Sequence, residues 1–327
     1  MPVFSEPSAS SVVFGPVPSR RLGRSLGVNN VPPKSCTYSC VYCQVGRAPE
    51  TQAAPRAFRA PEEVVGAVAR RVQQLRDRGE VVDFLTFVPD GEPTLDRHLG
   101  EWIDRLRPLG VPIAVITNGS LTWREEVRAV LRKADWVSCK VDATQEELWR
   151  RINRPHASLR PRTVLDGIRA FKETFEGRFV SETMLVRDLN DDEETVASIA
   201  GFLASVGPDR AYLSVPTRPP AEPWVRPPRE AAVNRAFQVF AEVLPRVELL
   251  TGFEGTAFGG AGDAASDLLS ITAVHPLRED AALALLGRDG SDRSVLDRLV
   301  QERRLQPVQY GGHTFYMRRL GAKGGSS

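Results

Sequence analysis

The chain has 327 residues, 42% hydrophobic and 26% charged, with a net charge of +2 and four cysteines. This is the composition of an ordinary globular chain, longer than the ~100–200 residues of one domain, so one large barrel or two domains are open. It excludes a disulfide framework and gives no electrostatic footprint for nucleic acid. Met1 to Ser11 has no apolar signal-peptide core, and no stretch reaches the ~20 apolar residues of a membrane span. The expectation is a protein of the reducing cytoplasm, without membrane contact.

In chain order, residues 1–12 read as a loose terminus. The run Gly15-Pro-Val-Pro-Ser-Arg-Arg-Leu-Gly23 follows, then Arg24–Asn29, a candidate first strand. Arg20, Arg21 and Arg24 could hold a carboxylate or phosphate, or form a solvated basic turn. The stretch Cys36-Thr-Tyr-Ser-Cys40-Val-Tyr-Cys43 then gathers three of the four cysteines. Thiolates suit zinc, cuprous copper or an iron–sulfur cluster, and short spacing lets one loop aim several sulfurs at one point at little entropic cost. A closed zinc site or a protein-only iron–sulfur cube wants four ligands. Three sulfurs on a cube leave one iron open for a substrate or cosubstrate. A zinc site recruiting His98 or His156, or three buried structural thiols, would use the same residues.

Cys-x3-Cys-x2-Cys with Tyr42 before the last cysteine resembles the signature of the radical S-adenosylmethionine (SAM) superfamily. The resemblance implies a 4Fe–4S cluster on Cys36, Cys40 and Cys43, with SAM chelated to the open iron. The Gly-Pro-Val-Pro-Ser-Arg-Arg-Leu-Gly run is similar to a subgroup described as iron–sulfur oxidoreductases and grouped loosely with wyosine-type tRNA-modifying synthetases.

Beyond the cysteines, Pro61 to Gly79 has helical apolar spacing at Val64, Val65, Val68, Val72 and Leu75. Val81–Val88 is short and β-branched, as in a strand buried on both faces. The alternation continues with helices at 97–107, 123–133, 145–151, 162–175, 191–205 and 229–243. The strands are Ile113–Thr117, Trp136–Asp142, Phe179–Val186 and Ala211–Val215. Alternating strands and helices give right-handed crossovers and a parallel sheet. About six units predict a partial (β/α)6 TIM-like barrel, with chemistry at the carboxyl ends of the strands.

Those ends carry the remaining motifs. Pro89-Asp90-Gly91-Glu92-Pro93-Thr94 resembles the superfamily's Gly-Gly-Glu motif with Asp90 in place of the first glycine, which implies SAM contact by Gly91, Glu92 and Pro93. As a local pattern it is also a strong turn signal. Thr117-Asn118-Gly119 suits a small polar ligand or an ordinary turn. On Val137–Asp142, alternation places Ser138, Lys140 and Asp142 on one face and Cys139 on the other. Lys140 and Asp142 are expected in the barrel, resembling a SAM-binding polar pair or forming a structural ion pair, and Cys139 in the core. Asn153-Arg154-Pro155-His156 is a candidate left without a role. Glu182 and Met184 share a face, at positions similar to those that contact the ribose or adenine of SAM.

The proline-dense Thr217–Pro228 cannot be helix or central strand. It reads as a spacer or as a lid over the substrate, with Trp224 and Arg218 or Arg226 turned inward. Gly252–Gly262 reads as a hinge, so the domains are 13–260 and 263–320. The second, with helices 265–274, 278–286 and 292–303 and a hairpin 306–317 turning at Gly311-Gly312, has the pattern of a winged helix-turn-helix. Its charges are balanced, so protein contact is as compatible with it as nucleic acid. The resemblance implies a cytoplasmic enzyme that draws one electron from an external flavodoxin- or ferredoxin-type donor. It cleaves SAM to a 5′-deoxyadenosyl radical and abstracts hydrogen from a small or macromolecular substrate. RNA modification, or a cluster-bearing DNA-binding regulator, are the alternatives.

Overall fold

The computed structural model describes residues 12–88, 90–251, 263–274 and 276–319. In order, the first part of the chain runs β1 (Val13–Ser19), β2 (Gly23–Val28), α1 (Pro61–Asp77), β3 (Phe84–Phe87), α2 (Leu99–Leu106), β4 (Ile113–Thr117), α3 (Glu125–Leu131), β5 (Trp136–Lys140), α4 (Glu146–Asn153) and α5 (Pro161–Thr174). It continues with β6 (Arg178–Met184), α6 (Glu193–Val206), β7 (Arg210–Ser214), α7 (Glu230–Val243) and β8 (Val247–Leu250). The helices form where sequence chemistry directs them. In α1, Pro61 opens the helix, Glu62 and Glu63 complement its first-turn dipole, and Val64, Val68, Val72 and Leu75 bury one stripe. In α6 the Asp192 side chain accepts from Thr195 N, and Gly207 closes the helix in the left-handed region.

The eight strands pair in sequence order. Strands β2 to β8 are parallel and β1 is an antiparallel edge on β2. The sheet is a curled, open half-barrel with seven parallel strands, one more than the six-unit expectation. The extra strand β8 is only four residues long and follows Pro245, too little for a periodic signal. Strand β1 carries Pro16 and Pro18, which an edge tolerates and a central strand does not.

The sheet's two faces make two apolar layers. The outer layer, under the helices, includes Leu85, Val115, Val137, Cys139, Phe171, Phe179 and Leu213, all fully buried. Burying a side chain of that size contributes about 1.5–3 kcal/mol. Cys139 sits here, as alternation predicts. The inner layer holds Ala114, Trp136, Val180, Tyr212 and Leu250, and into it the β1–β2 turn inserts Leu22. From the same turn Arg20 Nη1 donates to the carbonyl of Leu249 on the opposite edge strand, 3.4 Å. The first hairpin thereby floors the half-barrel.

The C-terminal unit comprises α8 (Ala264–Val274), β9 (Leu277–Arg278), α9 (Glu279–Arg288), α10 (Arg293–Gln301), β10 (Leu305–Tyr310) and β11 (His313–Arg318). Its sheet has the order β10-β11-β9, all antiparallel. It has a core of its own, built on Leu268, Ile271, Leu285, Leu296, Leu299 and Tyr316, against which Val17 of β1 packs. The expected hinge at 252–262 and the chain beyond 319 lie outside the described residues. No described helix is long and apolar enough to cross a membrane.

Candidate active site at the carboxyl ends of the strands

The cysteine loop follows β2 and is stitched to the next strand ends. Lys34 N donates to Asp90 O at 2.6 Å, and Glu92 N donates to Ser35 O at 2.8 Å. A β-carbon on Gly91 would overlap the Ser35 carbonyl, so this close approach demands glycine. The far side of the loop rests on the end of α4, where Val41 N donates to Ile152 O at 2.9 Å and Ser39 N to Asn153 O at 3.0 Å.

Cys36, Cys40 and Cys43 are free thiols, each half-buried. Side-chain amides address two of them. Asn118 Nδ2 lies 3.6 Å from Cys36 Sγ, and Asn153 Nδ2 3.4 Å from Cys40 Sγ. Burial pushes the Cys40 thiol up to about 12, aided by the nearby Asp142 charge. Burial, with Glu92 and Cys40 adding, raises Cys36 well above the ordinary thiol value, and burial raises Cys43. Thiols so placed stay protonated at neutral pH until a metal displaces the protons. His98 starts α2 and faces Glu101 at 3.5 Å, while the His156 ring lies 2.8 Å from Ser158 Oγ. Among the described residues, no His, Cys, Asp and Glu side chains group as ligands of a single metal ion.

Glu92 is buried and its carboxylate is fully engaged. Oε1 accepts from Thr94 N (3.1 Å), Thr94 Oγ1 (2.6 Å) and Thr117 Oγ1 (2.5 Å), and Oε2 from Asn118 N (2.8 Å). It ties the β3 end to the β4 end. Pro93 O accepts from Asn30 Nδ2 at 3.0 Å. Asp90 Oδ1 and Asn30 Oδ1, by contrast, are buried with no hydrogen-bond partner. Burial lifts the Asp90 carboxyl to about 7, against the opposing pull of Asn29, Arg318 and Lys34.

Lys140 and Asp142 do point into the half-barrel, but they enter two separate networks rather than one pair. Lys140 Nζ bonds Glu182 Oε1 at 2.9 Å, and Arg21, from the β1–β2 turn, holds the other carboxylate oxygen. Ser214 Oγ adds a bond to Glu182 at 3.2 Å. Burial alone would raise Glu182, but Arg21 and Lys140 prevail and hold it at about 2. Asp142 accepts from Tyr42 OH, from Asn153 Nδ2 at 2.7 Å and from Met184 N at 2.9 Å. The Lys140 ammonium lies 5.3 Å from the Tyr42 ring centroid, joining the two networks. Of the early arginines, Arg21 and Arg24 each hold one of the protein's own carboxylates, Glu182 and Glu80. Of its tetrapeptide, Asn153 joins the Asp142 network and Arg154 pairs with Glu222 of the proline-dense segment.

The proline-dense segment is fixed to the cysteine loop. Glu222 N donates to Val41 O at 3.0 Å, and the buried Glu222 carboxylate bridges Arg47 (2.6 Å) and Arg154. Arg218 Nη1 donates to Gln44 Oε1 at 3.1 Å, one residue past Cys43. Arg218 and Arg226 line a cavity of about 840 Å³, while the half-exposed Trp224 lies in a neighbouring depression with Arg150, Arg151 and Arg154.

A three-thiol loop after the first parallel strand, stitched to the next two strand ends of a half-barrel, defines a class. The model of the radical SAM superfamily matches residues 30–199, and the chain belongs to that superfamily. Within it, the chain is 41% identical over 312 residues to a UPF0026 protein of Methanocaldococcus jannaschii, spanning 95% of this chain and 97% of that one. A radical SAM methyltransferase from Sphaerobacter thermophilus superposes with a TM-score of 0.53 at 17% identity, over 72% of this chain and 70% of that one. SuiB of Streptococcus suis, bound to S-adenosylmethionine, gives 0.51 at 14% identity, over 74% and 51%. These two likenesses concern the fold. Radical SAM membership bears out the resemblance carried by the cysteine spacing.

Proposed function

We propose that the protein is a radical SAM enzyme whose cluster is held by Cys36, Cys40 and Cys43 and whose SAM lies across the ends of β2 to β6. The observation that carries this is the stitching of one three-thiol loop to the Asp90–Glu92 and Thr117–Asn118 segments. The residues fit the two groups. Three thiols leave one coordination position open, the Asn118 and Asn153 amides donate toward sulfur, and the unpartnered oxygens of Asp90 and Asn30 are acceptors for an ammonium. Cys36, Cys40 and Cys43 would hold a cluster that, given one electron from an external donor, would supply the reductive cleavage of SAM and hence radical hydrogen abstraction.

The protein's own residues bind and orient. Tyr42 and Asn153 fix Asp142, which in turn fixes the Met184 backbone beside the Lys140–Glu182 pair. That polar set, with Thr117 and Asn118, is the surface offered to the amino-acid and ribose groups of SAM. Gly91 and Pro93 contribute backbone, and Glu92 holds that backbone in place rather than touching SAM. The C-terminal unit is read as a winged helix, from its three helices and hairpin, and as bracing one side of the substrate opening. The two separate apolar cores support domain limits of 13–260 and 263–320.

The test is anaerobic reconstitution with iron and sulfide, reduction with dithionite in the presence of SAM, and chromatography for 5′-deoxyadenosine. The nucleoside should appear with the wild type and vanish with Cys40→Ala. A cluster that forms without cleaving SAM would overturn the reading.

A further inference from the structure

The 840 Å³ cavity is walled by the segments after β6, β7 and β8 on one side and the β10–β11 hairpin on the other. It therefore opens on the same end of the half-barrel as the cysteine loop, to which Arg218 links it through Gln44. Four arginines line it, Arg187, Arg218, Arg226 and Arg278, and no aspartate or glutamate among the described residues does. Arg278 is neutralised by Asp280. Arg187 and Arg226 are not neutralised within the described residues. Arg187 Nε donates to Pro227 O at 2.9 Å, and Arg226 Nη1 to the carbonyls of Pro223 and Val225. Carbonyls orient a guanidinium and satisfy some of its five donors, but they cancel none of its charge. The two arginines are also tied together, Arg187 N to Arg226 O at 3.0 Å. Fixed like charges beside a cavity are what an anion with several oxygens uses, since each fork can take two of them.

The remaining walls are prolines and an aromatic corner. Tyr310 and Phe315 meet edge to face at 6.4 Å, and Tyr310 OH is held by Pro216 O at 2.9 Å. The volume falls in the ~300–1,000 Å³ range of small-ligand sites. We propose that this cavity is the substrate site and that it takes a small phosphate-bearing molecule, its phosphate on Arg187 and Arg226 and its apolar body against the prolines and Phe315. The assignment as substrate rests on the radical SAM reading; the anion site itself does not.

The probes are uridine diphosphate, inorganic pyrophosphate, uridine, succinate and a 12-nucleotide single-stranded RNA, titrated calorimetrically into the full chain. Uridine diphosphate and pyrophosphate are expected to bind competitively, and uridine and succinate not to bind. Arg187→Ala and Arg226→Ala should each weaken the diphosphate at least about tenfold, the loss of one charged hydrogen-bonding group. If Arg187→Ala does not fold, the exposed Arg226 decides alone. Absence of diphosphate binding, binding indifferent to the arginine substitutions, or succinate binding as tightly overturns the proposal. RNA binding at least about tenfold tighter than the diphosphate, with the same arginine dependence, overturns it in favour of a nucleic-acid substrate. A protein that forms 5′-deoxyadenosine but does not bind the diphosphate fails this inference alone. One that binds the diphosphate but never cleaves SAM fails the functional reading alone.

Discussion

Two buried carboxylates of the half-barrel, Asp90 and Glu182, have been moved in opposite directions, and each makes a test. Asp90 titrates near 7 because burial outweighs its neighbours. The folded protein then holds a proton that the unfolded chain has lost, between about pH 4 and pH 7. Stability should fall across that window by up to about 1.4 kcal/mol per pH unit on this account. Asp90→Asn, which cannot ionise, is expected to match the wild type near pH 4 and exceed it at pH 8 in thermal melts without SAM. Parallel melting curves would refute the burial argument. Glu182 is the reverse case, held at about 2 by Arg21 and Lys140 against burial. Its contribution is present above about 4.5 and lost as pH falls toward 2. Glu182→Gln removes the carboxylate that the partly buried Arg21 and Lys140 share, so a loss of about 1–3 kcal/mol is expected at pH 7. The deficit should shrink below pH 4.5, read by urea denaturation. A constant deficit would mean the glutamate acts through packing alone.

At the scale of elements, what was legible had a short-range cause. Seven helices around the half-barrel and six of its seven parallel strands lie within a few residues of their expected positions, because apolar periodicity and Pro or Gly boundaries are local. The order of the motifs was legible too, since a parallel sheet brings all its carboxyl ends to one side. The partners of Lys140 and Asp142 were not, because strand register and the β1–β2 turn decide them. Lys140 lies opposite Glu182 in adjacent strands, 42 residues on. Nor could the sequence say that Glu222 would fasten the proline-dense segment to the cysteine loop. Glu222→Ala should leave the sheet intact while freeing that segment, so chymotryptic cleavage after Trp224 is expected to quicken by about tenfold or more. Unchanged cleavage would mean that the Val41 hydrogen bond and the prolines suffice.

At the scale of the molecule, the half-barrel and the C-terminal unit have separate apolar cores, joined where Val17 packs against the smaller one. Units built this way unfold as separate cooperative steps. Calorimetry is expected to resolve two transitions, and Val17→Asp to lower one of them by several degrees without moving the other. A single transition shifted as a whole would show that the two cores are energetically one.

The floor of the half-barrel carries a consequence for anyone seeking the smallest active piece. The superfamily match spans residues 30–199 and includes Cys36, Cys40 and Cys43. Excised at those limits, the piece would keep Lys140 and Glu182 but lose Arg21, the guanidinium reaching up from the first hairpin, and Ser214, the hydroxyl reaching across from β7. It would also lose Leu22, which stoppers the lumen, so water would enter from below. The matched segment therefore lacks two of the groups that hold Glu182. Its electrostatic balance is completed by the first hairpin and by β7, both outside residues 30–199.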